Sequence, residues 1–538
     1  MKKIALTFCS VLLLITNFSF AQTYLKQQGT VKQLYVKDKP LLLLGGELGN
    51  SSSSNNEYMN KIWPKIKSMN LNTILAPVYW ELIEPEEGKF DFNLVDSLIY
   101  NARKNDMKLI FLWFGAWKNS MSCYAPYWVK KDQKRFPRAT DKNGVGQEIL
   151  SPFYENNLIA DVKVFRELMK HIKAVDANDQ TVVMIQVENE IGMLPEARDH
   201  SSAATAMFKK PVPAPFFNYL KTNKESLMPE FKATWAKNGF KTSGNWEEVF
   251  GSSLATDETF MAWYYADFIN KLTDAGKQEY NLPMYLNAAL NYKKEAKPGE
   301  YPSAGPLPHL MDVWKAGAPK IDLLSPDFYN PDYKYWNDLY VRGGNTLFIP
   351  EIRFEQGMAG KAFYALGHHS AMGFSPFSIE NGAKEETMEV TEAYKLLREL
   401  QPLVLKHQGK ATIGGVMFDK LNNRQELKMG DYVLTFSHDL NLGWSGKSKN
   451  ENWPITGALV VQLAPDEFVV AGTGVVVTFK PIAPNARAGI GYIDEGNFEN
   501  GVFKPGLRFS GDQSHQGRHL RIPEGDFSTQ KIKLYTYK

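Results

Sequence analysis

Cysteine is nearly missing, with two in 538 residues. Cys9 falls in a leader-like segment, which leaves Cys123 alone and excludes an internal disulfide or a cysteine metal cluster. No histidine motif accompanies Cys123, so it is a poor candidate nucleophile. A surplus of one charge is also missing. The 62 basic and 59 acidic residues give +3, or +1 without Lys2 and Lys3. That balance carries no electrostatic footprint for nucleic acid or an anionic membrane, and a neutral substrate is expected. Past the first residues, no run approaches the ~20 apolar residues of a membrane span. No nucleotide-type glycine fingerprint opens a helix, and neither a metal nor an organic cofactor is expected. The adjacent His368 and His369 are read as a surface or helix-end pair, because neighbouring positions point in different directions on any regular element.

What is plentiful is aromatic surface, 13% of the chain with 12 Trp and 25 Tyr. Flat rings suit the C–H faces of sugars, although core packing accounts for most of them. Residues 1–21 read as a secretory signal peptide: Lys2 and Lys3, an apolar stretch, then Ser19-Phe20-Ala21. A mature chain from about Gln22, placed in the periplasm or outside the cell, is the expectation.

From residue 40 onward, short apolar runs alternate with amphipathic stretches, as βα units do. Eight candidate strands fall at 41–47, 71–79, 107–114, 181–190, 283–289, 321–328, 346–351 and 371–377. Their continuous hydrophobicity predicts an α/β fold, a (β/α)8 TIM barrel over residues 22–400. A long insertion at about 191–280 is expected either over the barrel mouth or as structural decoration. The serine-rich run 51–56 reads as a surface loop. After residue 400 the texture becomes short β runs separated by Gly, Asn and Pro. Residues 401–538 therefore read as a β-sandwich that braces the barrel, in preference to a separate glycan-binding module.

Two acidic residues close apolar strands: Glu190 ends TVVMIQVENE and Glu351 ends TLFIPE. A carboxylate so placed is seldom buried without a partner or a task. Period-two alternation puts Gln186, Glu188 and Glu190 on one face, expected to look into the barrel. Asn189 has the wrong parity for that face unless the strand ends or bulges there. Arg353 could hold Glu351 ionised, or the two could form a purely structural ion pair. The ends of the fourth and seventh strands face each other across a barrel mouth. Two carboxyls ~5 Å apart at such a place permit attack at an anomeric carbon by one while the other protonates the leaving oxygen.

The phrase QVENEIG (186–192), and LNTILAPVYWELIEPEEGKFDF (71–92) around the second strand, resemble glycoside hydrolase family 35. The resemblance spans about residues 30–395. It implies that Glu190 is the acid/base, Glu351 the nucleophile, Asn189 a contact to the sugar 2-hydroxyl and Tyr329 the tyrosine that orients the nucleophile. Two strand ends depart from that pattern: Gly115-Ala116-Trp117 lacks the usual glutamate, and the first strand ends in Gly45-Gly46-Glu47. Glu47 is a candidate replacement for the missing sugar contact. Trp117, Asn287 and Tyr292 complete the candidate substrate-binding set, with Trp80 read as core. The implied function is a retaining exo-β-galactosidase acting on carbohydrate side chains. Its rivals are another retaining β-glycosidase or endo-glycanase of the same clan, and a non-catalytic glycan-binding protein. Oligomeric state leaves no mark on the sequence.

Overall fold

Strands that are apolar on both faces are stable only when each face is covered, and a closed ring wrapped in helices does this. The computed structural model describes residues 23–290 and 295–538, so the leader segment and Tyr292 lie outside the described residues. Eight parallel strands close the ring in chain order: β1 (Leu43–Glu47), β2 (Thr73–Tyr79), β3 (Lys108–Lys118), β4 (Val182–Asn189), β5 (Met284–Ala289), β6 (Leu323–Phe328), β7 (Ile349–Ile352) and β8 (Gly373–Pro376). All eight expected strands are present, which makes the fold a TIM barrel. Leu43, Leu75, Ile110, Leu112, Val183, Tyr285 and Phe348 fill the inside. Leu34 and Val36 from an antiparallel N-terminal sheet join that cluster and close the end of the barrel opposite the strand C-termini. Outward residues such as Phe111, Trp113, Ile185 and Val187 pack beneath the helices. The helix Glu155–Asp176 shows why: Val164, Phe165, Leu168, Met169 and Ile172 recur at helical spacing and are all buried.

The insertion forms short helices, including Ala214–Thr222, Pro229–Lys237 and Trp246–Phe250, ahead of the long barrel helix Leu254–Glu279. These helices lean on the outer side of the barrel rather than across its mouth. Phe216 stacks on Trp263 at 5.0 Å, and Asp312 accepts from both the Tyr219 hydroxyl (3.0 Å) and the Met228 N–H (2.6 Å). The serine run is not a simple surface loop either. Ser52 and Ser53 are buried, and the Ser53 hydroxyl donates to the Pro77 carbonyl at 2.7 Å.

A β-rich domain follows, with two antiparallel sheets of six and four strands around Phe418, Leu434, Phe436, Val460, Val470 and Ile532. It is fused to the barrel through the helix Met358–His368, which follows β7 and is buried on nearly every side. Glycines allow the close approach. A Cβ on Gly360 would lie 2.8 Å from the Thr456 carbonyl oxygen, and one on Gly367 would lie 2.4 Å from that of Gly414. Leu459, Val461, Val469 and Ala471 of the β domain belong to the same apolar cluster as the barrel helices. No helix among the described residues is long and apolar enough to cross a membrane.

Candidate active site

The end of β4 is where the regular strand gives way. Glu188 and Glu190 have φ of 59° and 45°, a left-handed conformation that non-glycine residues adopt only when held there. Opposite them β3 shifts register between Trp113 and Lys118, so that Lys118 pairs with Asn189. The Glu190 N–H donates to Asn287 Oδ1 at 2.9 Å, and the Glu190 carbonyl accepts from Ser120 N–H at 3.0 Å. The Gln186 amide donates to the Glu188 carbonyl at 3.0 Å.

This break sends the side chains in directions that strict alternation does not. Glu188 points away from the mouth, accepting the N–H groups of Ala116 (3.1 Å) and Trp117 (2.7 Å) beside Asp161. Burial and the neighbouring Asp161 push Glu188 well above the usual carboxylate range, and burial raises Asp161 to about 6. The expectation that Glu188 shares the inward face with Glu190 is therefore corrected. The two carboxyls behind the strand form a proton-sharing pair that clamps the ends of β3 and β4 together.

Glu190 and Glu351 line one open cavity of about 380 Å3 at the C-terminal ends of the strands, together with Asn50, Lys118, Asn119, Tyr329 and Phe377. Burial first, and then the charge of Glu351, raise Glu190 to about 7, and its carboxyl is hydrogen-bonded to Asp327. Asp327 is itself held well above its usual range by burial and by Glu351, Glu190 and Glu47. The Tyr329 hydroxyl donates to Glu351 Oε1. Glu47, only 1% exposed, sits beside Glu351, and burial followed by that neighbour pushes it well above the ordinary range. Four carboxyls thus share one site, with Lys118 as the cation that acts on Glu47, Glu190 and Asp327.

Several polar atoms in and around this cavity have no protein partner. Among the described residues, both side-chain polar atoms of Asn189 and Asn50 Oδ1 are buried without a hydrogen-bond partner. Each unmet buried group costs about 1–3 kcal/mol, which a hydroxyl or amide partner would offset.

Three expected roles change. Trp117 is not a sugar platform: it is fully buried, donates Nε1–H to the Leu150 carbonyl (3.1 Å) and packs edge-on against Tyr265 and Phe268. The bulge in β3 turns it outward beneath the helices. Asn287 commits its amide to protein, bonding the Glu190 N–H and donating to Asp327 Oδ2 at 2.5 Å, so it positions the site and does not reach into it. Arg353 does not pair with Glu351. It lies with its guanidinium 5.6 Å from the Tyr329 ring centre. Trp80 is core, as expected. His368 ends a helix and His369 caps it, yet their ligating atoms come within 4.8 Å of one another and of Asp338. Lys334 places a competing positive charge beside them. Sequence reasoning missed Asp327, Lys118, Asn119 and Asn50. Asp327, in the apolar run LLSPDF, carries the same signal that exposed Glu190.

Residues 50–260 match the family model described as beta-galactosidase (glycoside hydrolase 42). This stretch of the barrel is β-galactosidase-like. The matched family is not the family 35 whose motifs the chain resembles, and the first- and third-strand ends are where that likeness already fails. Residues 390–521 match a domain of unknown function, DUF5597. Beta-galactosidase 13 of Arabidopsis thaliana is 28% identical over 146 residues, 26% of this chain and 16% of the relative. The chain therefore matches about one sixth of that protein's length. Among solved structures, β-galactosidases of Marinomonas ef1 (12% identity, TM-score 0.46) and Bacillus circulans sp. alkalophilus (14%, 0.46) each align with 68% of this chain. The alignments cover 60% and 57% of those proteins, a likeness too loose to carry any residue across.

Proposed function

We propose that this chain is a secreted, retaining exo-β-galactosidase that removes terminal β-linked galactose from oligo- or polysaccharide side chains. The observation that carries the reading is the division of labour on one cavity: burial keeps Glu190 protonated to about pH 7, while Glu351 faces the same space with Tyr329 donating to it. A carboxyl held protonated by burial can act as the acid toward a bond that a neighbouring carboxyl attacks.

In the first step the Glu351 carboxylate attacks the anomeric carbon while Glu190 gives its proton to the departing glycosidic oxygen. A glycosyl ester forms on Glu351. Loss of the Glu351 charge makes Glu190 more acidic, so Glu190 can then take a proton from water. That water attacks the same carbon, the ester breaks, and the sugar leaves with its configuration retained. We assign Asn189, whose side-chain atoms have no hydrogen-bond partner among the described residues, to a sugar hydroxyl. The β-galactosidase match over residues 50–260 supports galactose as the sugar.

The test is a panel of nitrophenyl glycosides with proton NMR of the first-formed anomer. β-Galactoside should be cleaved fastest and release β-galactose. Equal rates on β-glucoside or β-mannoside would refute the sugar, and α-galactose as first product would refute retention. Glu351→Ala should abolish turnover, with azide restoring part of it.

A further inference from the structure

Away from the barrel mouth, the helix Lys384–His407 and the β domain enclose two abutting cavities of about 610 and 640 Å3. Glu392 and Phe527 line both, so the two form one trough. Its far end is built by Gln356 and Gly357, on the loop that follows β7 and its Glu351.

Three features of this trough are unusual. Trp444 is 54% exposed and lines it, yet its ring is not loose. The Arg521 guanidinium lies 5.0 Å from its centre, and His515 and His519 contact it at 5.3 and 5.9 Å. Arg521 is fixed in turn by both oxygens of Asp439, at 2.6 and 3.1 Å. A large exposed indole locked in place is a preformed flat platform. Second, Gln530 lines the same wall and is 1% exposed, and its Oε1 is buried with no partner while Nε2 donates to the Arg521 carbonyl. An acceptor of this kind wants a hydroxyl or amide donor. Third, the charge is one-sided. Glu392, Glu495 and Asp512 line the trough, and the positive charge of Arg521 is already taken by Asp439.

We propose that this trough is a second carbohydrate site, which holds a neutral glycan chain with one sugar ring stacked on Trp444 and a hydroxyl bonded to Gln530 Oε1. Apolar C–H faces match the indole, hydroxyls match the carboxylates and the orphan amide, and a uronate, sulfate or phosphate is repelled. The site is distinct from the barrel cavity and does not depend on what the barrel cleaves.

The experiment is affinity electrophoresis of the full chain carrying Glu351→Gln, so that no polymer is digested, through gels containing galactan, xyloglucan or polygalacturonate. At least one neutral polysaccharide should retard the protein and polygalacturonate should not. Adding Trp444→Ala should weaken the apparent affinity roughly tenfold or more, and Trp444→Phe should recover part of it. In the unmodified background, Trp444→Ala should leave nitrophenyl β-galactoside hydrolysis unchanged. The proposal is overturned if no neutral polymer retards the chain, or if Trp444→Ala is retarded equally. Failure of the barrel to hydrolyse galactosides would leave these gel results readable, so the two readings fail separately.

Discussion

Replacing Glu190 by glutamine tests the central claim through stability and rate together. The native chain holds the Glu190 proton up to about pH 7, against an ordinary 4.5. Because the folded value is raised, the associated stability is fully present below 4.5 and is lost as pH climbs through 7. The interval is worth about 3 kcal/mol at about 1.4 kcal/mol per tenfold. A glutamine side chain has the shape of the protonated acid and does not titrate. The Glu190→Gln variant should therefore match the parent near pH 4.5 and become more stable than it by up to about 3 kcal/mol at about pH 8.5, read from melting curves across that range. In kinetics the parent should show kcat/KM falling above pH 7, as the acid loses its proton. The variant should lose that alkaline limb and, on a disaccharide with a poor leaving group, lose about 10² to 10⁴ in rate. A limb near pH 7 that survives in Glu190→Gln would refute the assignment, since another group would then be titrating.

Tyr329→Phe removes a hydrogen bond to a carboxylate, worth about 1.5–3 kcal/mol, so kcat should fall about 10- to 100-fold with little change in KM; an unchanged kcat would sink the positioning role. Glu47→Leu takes a buried acid out of a crowded site and should raise the melting temperature at about pH 8 while raising KM for a galactoside. Loss of stability without loss of affinity would exclude Glu47 from the site. Gly115→Ala would set a methyl 2.2 Å from Trp113 Nε1 and 2.5 Å from Glu188 Oε1, and should cost about 1–3 kcal/mol. An unaltered melting point would mean that the Glu188 clamp is slack.

The barrel was legible because its strands are apolar on both faces, a pattern that survives in one dimension. Glu190 and Glu351 were legible for the complementary reason, a charge where hydrophobicity should continue. Glu188 and Trp117 were misplaced because strand parity assumes a straight strand, and the register shift between Trp113 and Lys118 breaks it. Asn287 was misread for a subtler reason: an amide at a strand end looks the same in sequence whether it bonds substrate or, as here, the Glu190 backbone. The insertion's aromatic residues gave no hint of direction, and they pack on Phe260, Trp263 and Tyr264 of the long helix.

Because Gly360 and Gly367 bring the helix after β7 against the backbones of Thr456 and Gly414, the C-terminal domain is no detachable passenger. Truncating the chain near residue 400 would strip the wall from the helix that follows β7, so the barrel has become a tenant that cannot outlive its neighbour.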